Sequence, residues 1–421
     1  MYDIFILIGG LMKRLVLLFL VIPVLVFSQT VTILCPGDSK IGETTHLGEA
    51  LRLAKKDFPK AEIKLLGVDT VDGSTISMDA LLASGKAPNI YYDAVMRTSK
   101  YMVPEYALPL DEYIRDLDKY KKNILDEYRN NGKIYGLPEG GGGYSMCLNM
   151  DVVNSVGYKV PDNWTIDDFL KLCALVKAKY GDTKIITNMH AGSQSGDYII
   201  NLWYGSFGVK WYNDHNYDVA RVADNGGAKV YAFFQDLMRK GYIPSNSATM
   251  TDDDRDLEWS KGNVVSTGYN PGWVVNQDAA IKQGILAKRF EVKFVPFPRA
   301  PGVTKTPLYY YGGVYVVHKT GTDADKVAAR VVEYANGAWW QESQNFAIFP
   351  NRNDTKPPTD PVMRLIGKMI DANGIQDMGI TDYRFTARRA VQYPILQKVL
   401  RFEVTPEVGI KMFQDALNAV K

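Results

Sequence analysis

Four consecutive glycines, Gly140, Gly141, Gly142 and Gly143, are the first residues whose spacing suggests chemistry. A glycine run can cradle phosphate, but such a loop closes on Lys-Ser/Thr or opens a helix after a strand. Here Tyr144 and Ser145 follow, no lysine closes the run, and the flanks at 134–135 and 146–148 read as extended. The run therefore reads as backbone that must bend, not as a phosphate loop. Asp252, Asp254 and Asp256 imitate the start of a calcium loop, yet Leu257 stands where glycine is required and Asn263 where the bidentate Glu belongs. They read as an acidic helix start. The stretch Gly192-Ser193-Gln194-Ser195-Gly196 puts glutamine at the centre of a would-be nucleophile elbow. His46, His190, His215 and His318 are too scattered for a zinc cluster, so neither metal nor cofactor is expected. Carboxylates are plentiful, so the residues alone leave a glycosidase pair open, though none stands out.

The elements that must position any site follow from periodicity. Residues 31–35 and 62–68 read as strands, separated by a helix with Leu47, Leu51, Ala54 and Phe58 on one face. A short helix from Ser74 and a strand at 89–92 continue the alternation, which argues for an α/β fold with mostly parallel sheets. After the glycines the pattern restarts. Thr165 and Asp168 form a capping-box-like pair ahead of Phe169, Leu172, Cys173 and Val176. A helix over 226–240 turns Phe234, Leu237 and Met238 inward and stops at Gly241. The last helix starts at Thr405-Pro406-Glu407, an N-cap, a first-turn proline and an acid at the positive dipole end.

Length and charge bound the rest. A chain of 421 residues exceeds one ordinary core, so two lobes are expected. Lys plus Arg number 49 against 47 for Asp plus Glu, a balance that argues against nucleic acid. From Met12, a Lys13-Arg14 pair and an apolar stretch to Phe27 resemble an export signal, with cleavage expected after Ser28 and residues 1–11 ahead of the better start. Cys35 lacks the preceding small residue of a lipobox, so no lipid anchor is expected; Cys35, Cys147 and Cys173 read as small buried side chains.

Several segments in order are similar to one family. They are residues 85–90 (GKAPNI), 107–113 (ALPLDEY), 132–138 (GKIYGLP), 148–149 with 152–164, 259–264 (WSKGNV), 268–273 (GYNPGW) and Gly312-Gly313 before an apolar strand. Together they resemble the extracellular solute-binding proteins of ABC sugar importers, family 1, the maltodextrin-binding-protein-like group.

The resemblance implies a two-lobe, type II-like periplasmic-binding-protein fold joined by a hinge. Lobe one is expected at 29–139 plus about 290–348, and lobe two at 140–289 plus about 349–421. The four glycines would be the hinge. The resemblance also implies that the protein is no enzyme: it would bind a mono- or oligosaccharide by lobe closure and deliver it to membrane permease subunits, as a periplasmic or extracellular monomer. Trp273 would stack on a sugar ring, helped by Tyr269 and Asn270. Asp38, Lys40 and Asp93 would face the cleft beyond strand ends. Tyr198, Glu139, Gly312, Gly313 and Arg352 complete the expected ligand contacts. Rival readings are a secreted carbohydrate-active enzyme with a carboxylate pair, the same fold holding a non-sugar solute, and a sensor. The sequence contains no code for which sugar is bound; the segments 188–197 and 383–389 would decide it.

Overall fold

The computed structural model describes residues 30–36, 46–68, 74–193, 196–213, 216–269, 277–343 and 349–421. The first lobe opens with β1 (Thr30–Pro36), α1 (His46–Asp57), β2 (Glu62–Val68), α2 (Ser74–Ala83), β3 (Ile90–Ala94), α3 (Val95–Thr98) and α4 (Lys122–Leu125). A small hairpin, β4 (Arg129–Asn130) with β5 (Lys133–Ile134), precedes β6 (Leu137–Pro138). The chain then crosses into β7 (Gly142–Asn149), α5 (Met150–Ser155), α6 (Ile166–Tyr180), β8 (Ile185–Thr187), α7 (Asp197–Ser206), α8 (Ala228–Arg239) and α9 (Asp252–Ser260). The second lobe continues with β9 (Val264–Tyr269), α10 (Gln277–Lys282), β10 (Val292–Val295) and β11 (Tyr309–Tyr311). A return to the first lobe gives β12 (Gly313–Val317), α11 (Ala324–Ala335) and α12 (Ala338–Ser343). The final passage leads to α13 (Pro361–Asn373), α14 (Phe385–Leu400) and α15 (Pro406–Ala419).

The strand–helix alternation expected from the sequence is present, but the sheets are mixed where parallel strands were expected. The first sheet runs β2-β1-β3-β12-β6: β1 is parallel to β2 and β3, whereas β12 is antiparallel to β3 and β6. The second runs β10-β7-β9-β8 with β11 beside β7, and only β8–β9 is parallel. The reason is the path of the chain. Strands that enter a lobe from a crossing run opposite to those that return toward it. The strands also place β10 and β11 in the second sheet, so the chain rejoins the first sheet at Gly313 instead of at about 290.

Local signals act as read. Thr165 and Asp168 close a full capping box on α6, whose Phe169, Leu172, Cys173 and Val176 are buried. Thr405 caps α15 with Pro406 in its first turn. On α8, Phe234 and Leu237 are fully buried, Met238 is half-buried, and Gly241 ends the run at φ +62°. Thr251 and Asp254 likewise cap α9, the acidic helix start expected there. Val31, Ile33, Ile90, Tyr315 and Val317 of the first sheet join α1 and α11 in one apolar cluster. A larger cluster fills the second lobe and reaches Met96, Tyr101 and Met102 of the first. Cys147 and Cys173 are buried free thiols. No helix among the described residues is long and apolar enough to cross a membrane.

Candidate functional site

The two crossings Glu139–Gly142 and Tyr311–Gly313 run side by side, and their glycines answer a steric demand. A Cβ on Gly312 would sit 1.8 Å from the Gly140 carbonyl oxygen, and one on Gly313 would sit 2.1 Å from the Tyr92 hydroxyl. Gly140 itself has φ +118°, a conformation that suits only glycine. The third passage is stitched to the first: Gly141 and Phe349 exchange backbone hydrogen bonds of 3.2 and 2.8 Å, and Asn351 Nδ2 donates to the Pro138 carbonyl at 2.6 Å.

Beside these crossings lies the carboxyl end of β3. Asp93 is buried, and its carboxylate accepts from the Tyr91 hydroxyl at 3.1 Å, from the Ala94 N–H at 2.7 Å and from Arg97 Nη1 at 3.2 Å. Arg97 sits one helical turn on and is half exposed, so a cation stands in front of a buried anion. Glu139 is 7% exposed. Its backbone N–H donates to the Gly313 carbonyl at 3.1 Å, and its carboxylate accepts from the Tyr92 hydroxyl. Burial pushes the Glu139 carboxyl above its ordinary value, while Tyr92, the Trp340 indole and the Gly313 backbone pull it back. Tyr92 stacks on Tyr315 with ring centroids 4.4 Å apart.

The second lobe presents the start of α7 and the first turns of α14 to this region. The Thr386 hydroxyl donates to the Met96 carbonyl across the lobes at 2.7 Å. Arg389, less than one turn further, clasps the fully buried Asp197 through Nε and through Nη2 at 3.1 Å. Earlier in the same segment, the His190 imidazole Nε2 lies 2.5 Å from the Asp252 carboxylate.

The predicted residues can now be located. β1 ends at Pro36, and its Leu34 pairs with Tyr91, so the end of β1 lies one strand from Asp93. β9 ends at Tyr269 opposite Ser145, two residues from the glycine crossing. Asp38, Lys40, Asn270 and Trp273 themselves, and the side chains of Tyr269 and Tyr198, lie outside the described residues; the backbone of Tyr198 follows Asp197 in α7. Asp93, Glu139, Gly312 and Gly313 come together. Arg352 does not join them as a ligand contact. Its guanidinium, almost wholly buried, is taken up by Asp116 at 2.6 Å and Asp354 at 2.7 Å over the Tyr120 ring, and it fastens the third passage to lobe one. Sequence reading overlooked Arg97, Tyr92 and the Asp197–Arg389 pair. Arg97, four residues after Asp93, had a readable signal; the others join residues remote in sequence.

Residues 43–342 match the family described as bacterial extracellular solute-binding protein. The chain belongs to this family. Solute-binding proteins of known structure share its two-lobe architecture. A chitin oligosaccharide binding protein superposes with a TM-score of 0.72 at 19% identity, covering 93% of this chain and 99% of its own. The sugar-binding protein MalE from Xanthomonas citri gives 0.73 at 15% identity, covering 93% and 97%. The GacH receptor of Streptomyces glaucescens, whose structures include a complex with acarbose, gives 0.70 at 17% identity, covering 94% and 100%. At such identities the likeness is one of fold. No curated relative matches this solute-binding protein in sequence.

Proposed function

We propose that this solute-binding protein captures a mono- or oligosaccharide between its lobes and delivers it to the permease of an ABC importer, without making or breaking a covalent bond. The observation that carries the proposal is the meeting of the β3 end, the glycine crossings and the α14 start in one place, with carboxylate, guanidinium, hydroxyl and aromatic groups together. Such a set offers donors and acceptors for sugar hydroxyls and flat faces for ring C–H groups. Following the family resemblance, Trp273 is assigned the stacking role, and Asp38, Lys40 and Asn270 hydroxyl contacts. The names of similar structures, a chitin oligosaccharide binding protein and a MalE among them, support the sugar class.

Gly140, Gly141, Gly142 and Gly143 act as the hinge. Their backbone turns while the neighbouring crossing slides past without side chains between them. The lobes divide at Glu139, at Gly312 and after Phe349. Export proceeds through the signal at residues 12–28, and the protein works outside the cytoplasm as a monomer. The ligand shifts the open–closed equilibrium by its preference for the closed form.

A thermal-shift screen over a saccharide panel tests this, since a ligand of the native state raises the melting temperature. A shift with one saccharide, returned chemically intact, supports the proposal. Turnover of the saccharide, or a shift only with peptides, polyamines or oxyanions, contradicts it.

A further inference from the structure

A second concavity lies in lobe two. It is a groove of about 470 Å3 between the 161–164 loop, β10, the 299–306 loop and α13. Its floor is apolar: Trp164, Phe294, Phe297 and Met369 line it, and Leu365 stands at its edge with 40% of its surface exposed. Its rim carries Lys293, Arg299, Lys305 and Lys368, whereas Asp162 is the one carboxylate among the described lining residues. Among the described residues none of these four cations pairs with a carboxylate. Arg299 instead donates to the Thr304 and Asn163 carbonyls at 3.1 and 3.2 Å, which holds its charge at the rim.

Unpaired cations over an apolar floor are a poor arrangement for packing alone and a good one for holding a negative group on an apolar frame.

We infer that this groove is a second binding site, for a small soluble anion: a carboxylate, sulfonate or phosphate carried on an aliphatic or aromatic body. The apolar body fills the floor, and the anionic group meets the lysines and arginine. The volume is that of a small-molecule pocket. The concave shape does not suit a flat membrane surface. The groove adjoins the hinge through α13. While Leu365, Lys368 and Met369 face the groove, Ile366 and Ile370 of the same helix pack against Gly143.

The test uses 1-anilinonaphthalene-8-sulfonate, an apolar anion whose fluorescence rises on burial, with the full chain. The expected result is saturable binding to one site, weakened at least tenfold by 0.5 M sodium chloride in keeping with a short screening length of about 4 Å. The double variant K293E/K368E should lose binding at least tenfold while keeping the wild-type melting temperature. Ala372→Trp, which fills the groove without changing charge, should lose it as well. A saccharide that raises the melting temperature should not displace the probe, so this site and the interlobe site stand or fall separately. Probe binding unchanged in both variants, or indifferent to salt, overturns the inference.

Discussion

The Thr386 hydroxyl of lobe two donates to the Met96 carbonyl of lobe one at 2.7 Å, directly beside the Asp93–Arg97 pair. It is a polar bond whose two ends belong to different lobes. If closure is the binding event, this bond is made on closing and lost on opening. Thr386→Val keeps the shape and removes the donor. A net hydrogen bond is worth about 1 kcal/mol, so saccharide affinity should fall about fivefold with the melting temperature of the free protein little changed. Calorimetric titration reads this directly; unchanged affinity would show that the contact persists in the open form.

The crossing glycines make a steric prediction. Gly312→Ala puts a methyl 1.8 Å from the Gly140 carbonyl oxygen, which the backbone must move to avoid. Overpacking of this kind destabilises by about 1–3 kcal/mol. Chemical denaturation should show that loss, and Gly321→Ala, where a Cβ meets nothing within 4 Å, serves as a comparison for its positive φ alone.

Glu139 gives a pH signature. Burial raises its carboxyl above the ordinary 4.5. The folded chain therefore binds this proton more tightly than the unfolded chain. Its contribution to stability is full below 4.5 and is lost as pH rises through the raised value. Glu139→Gln should accordingly raise the melting temperature more at pH 7.5 than at pH 4. An equal change at both pH values would mean that the carboxylate is as well solvated as in the unfolded chain.

His190 predicts the opposite slope. It is fully buried, and burial lowers it from 6.5; Asp252 and Asp256 act against that shift, and Arg255 adds to it. The unfolded chain takes up a proton near 6.5 that the folded chain refuses. Stability is therefore retained above 6.5 and falls as pH drops, by at most about 1.4 kcal/mol per pH unit. His190→Gln should flatten the melting-temperature profile between pH 7 and 5 relative to wild type.

Arg352, steadied by Asp354 two residues on, holds the third passage to lobe one through Asp116. Arg352→Ala strands two carboxylates that are each about a third exposed, so the loss should be about 3 kcal/mol, at the lower end for broken buried pairs. Saccharide affinity of the folded fraction should stay within about twofold, which separates a fastening role from ligand contact.

How much of this was legible in the sequence depends on the distance between partners. The Thr165–Asp168 and Thr405–Pro406 signals act within one turn, and each starts a helix as read. The mixed sheet order escaped notice because β12 pairs with β3 across more than two hundred residues, and no local pattern encodes direction. Arg352 looked available because its acceptor, Asp116, is 236 positions away. Arg389 and Asp197, 192 apart, are joined only by the packing of α14 on the second lobe. The glycine run was recognised as a crossing, yet its reason was partly steric: the neighbouring antiparallel passage at Gly312 occupies the space where side chains would go.

The central claim is that a saccharide is gripped between the lobes and left intact. Isothermal titration of the purified protein with the saccharide that most raises its melting temperature, followed by mass analysis of the cell contents, tests it in one experiment. The account predicts saturable binding with one saccharide per chain, at least tenfold weaker in a folded Trp273→Ala variant, and sugar recovered unaltered. Cleaved sugar, or full affinity in that variant, would contradict it.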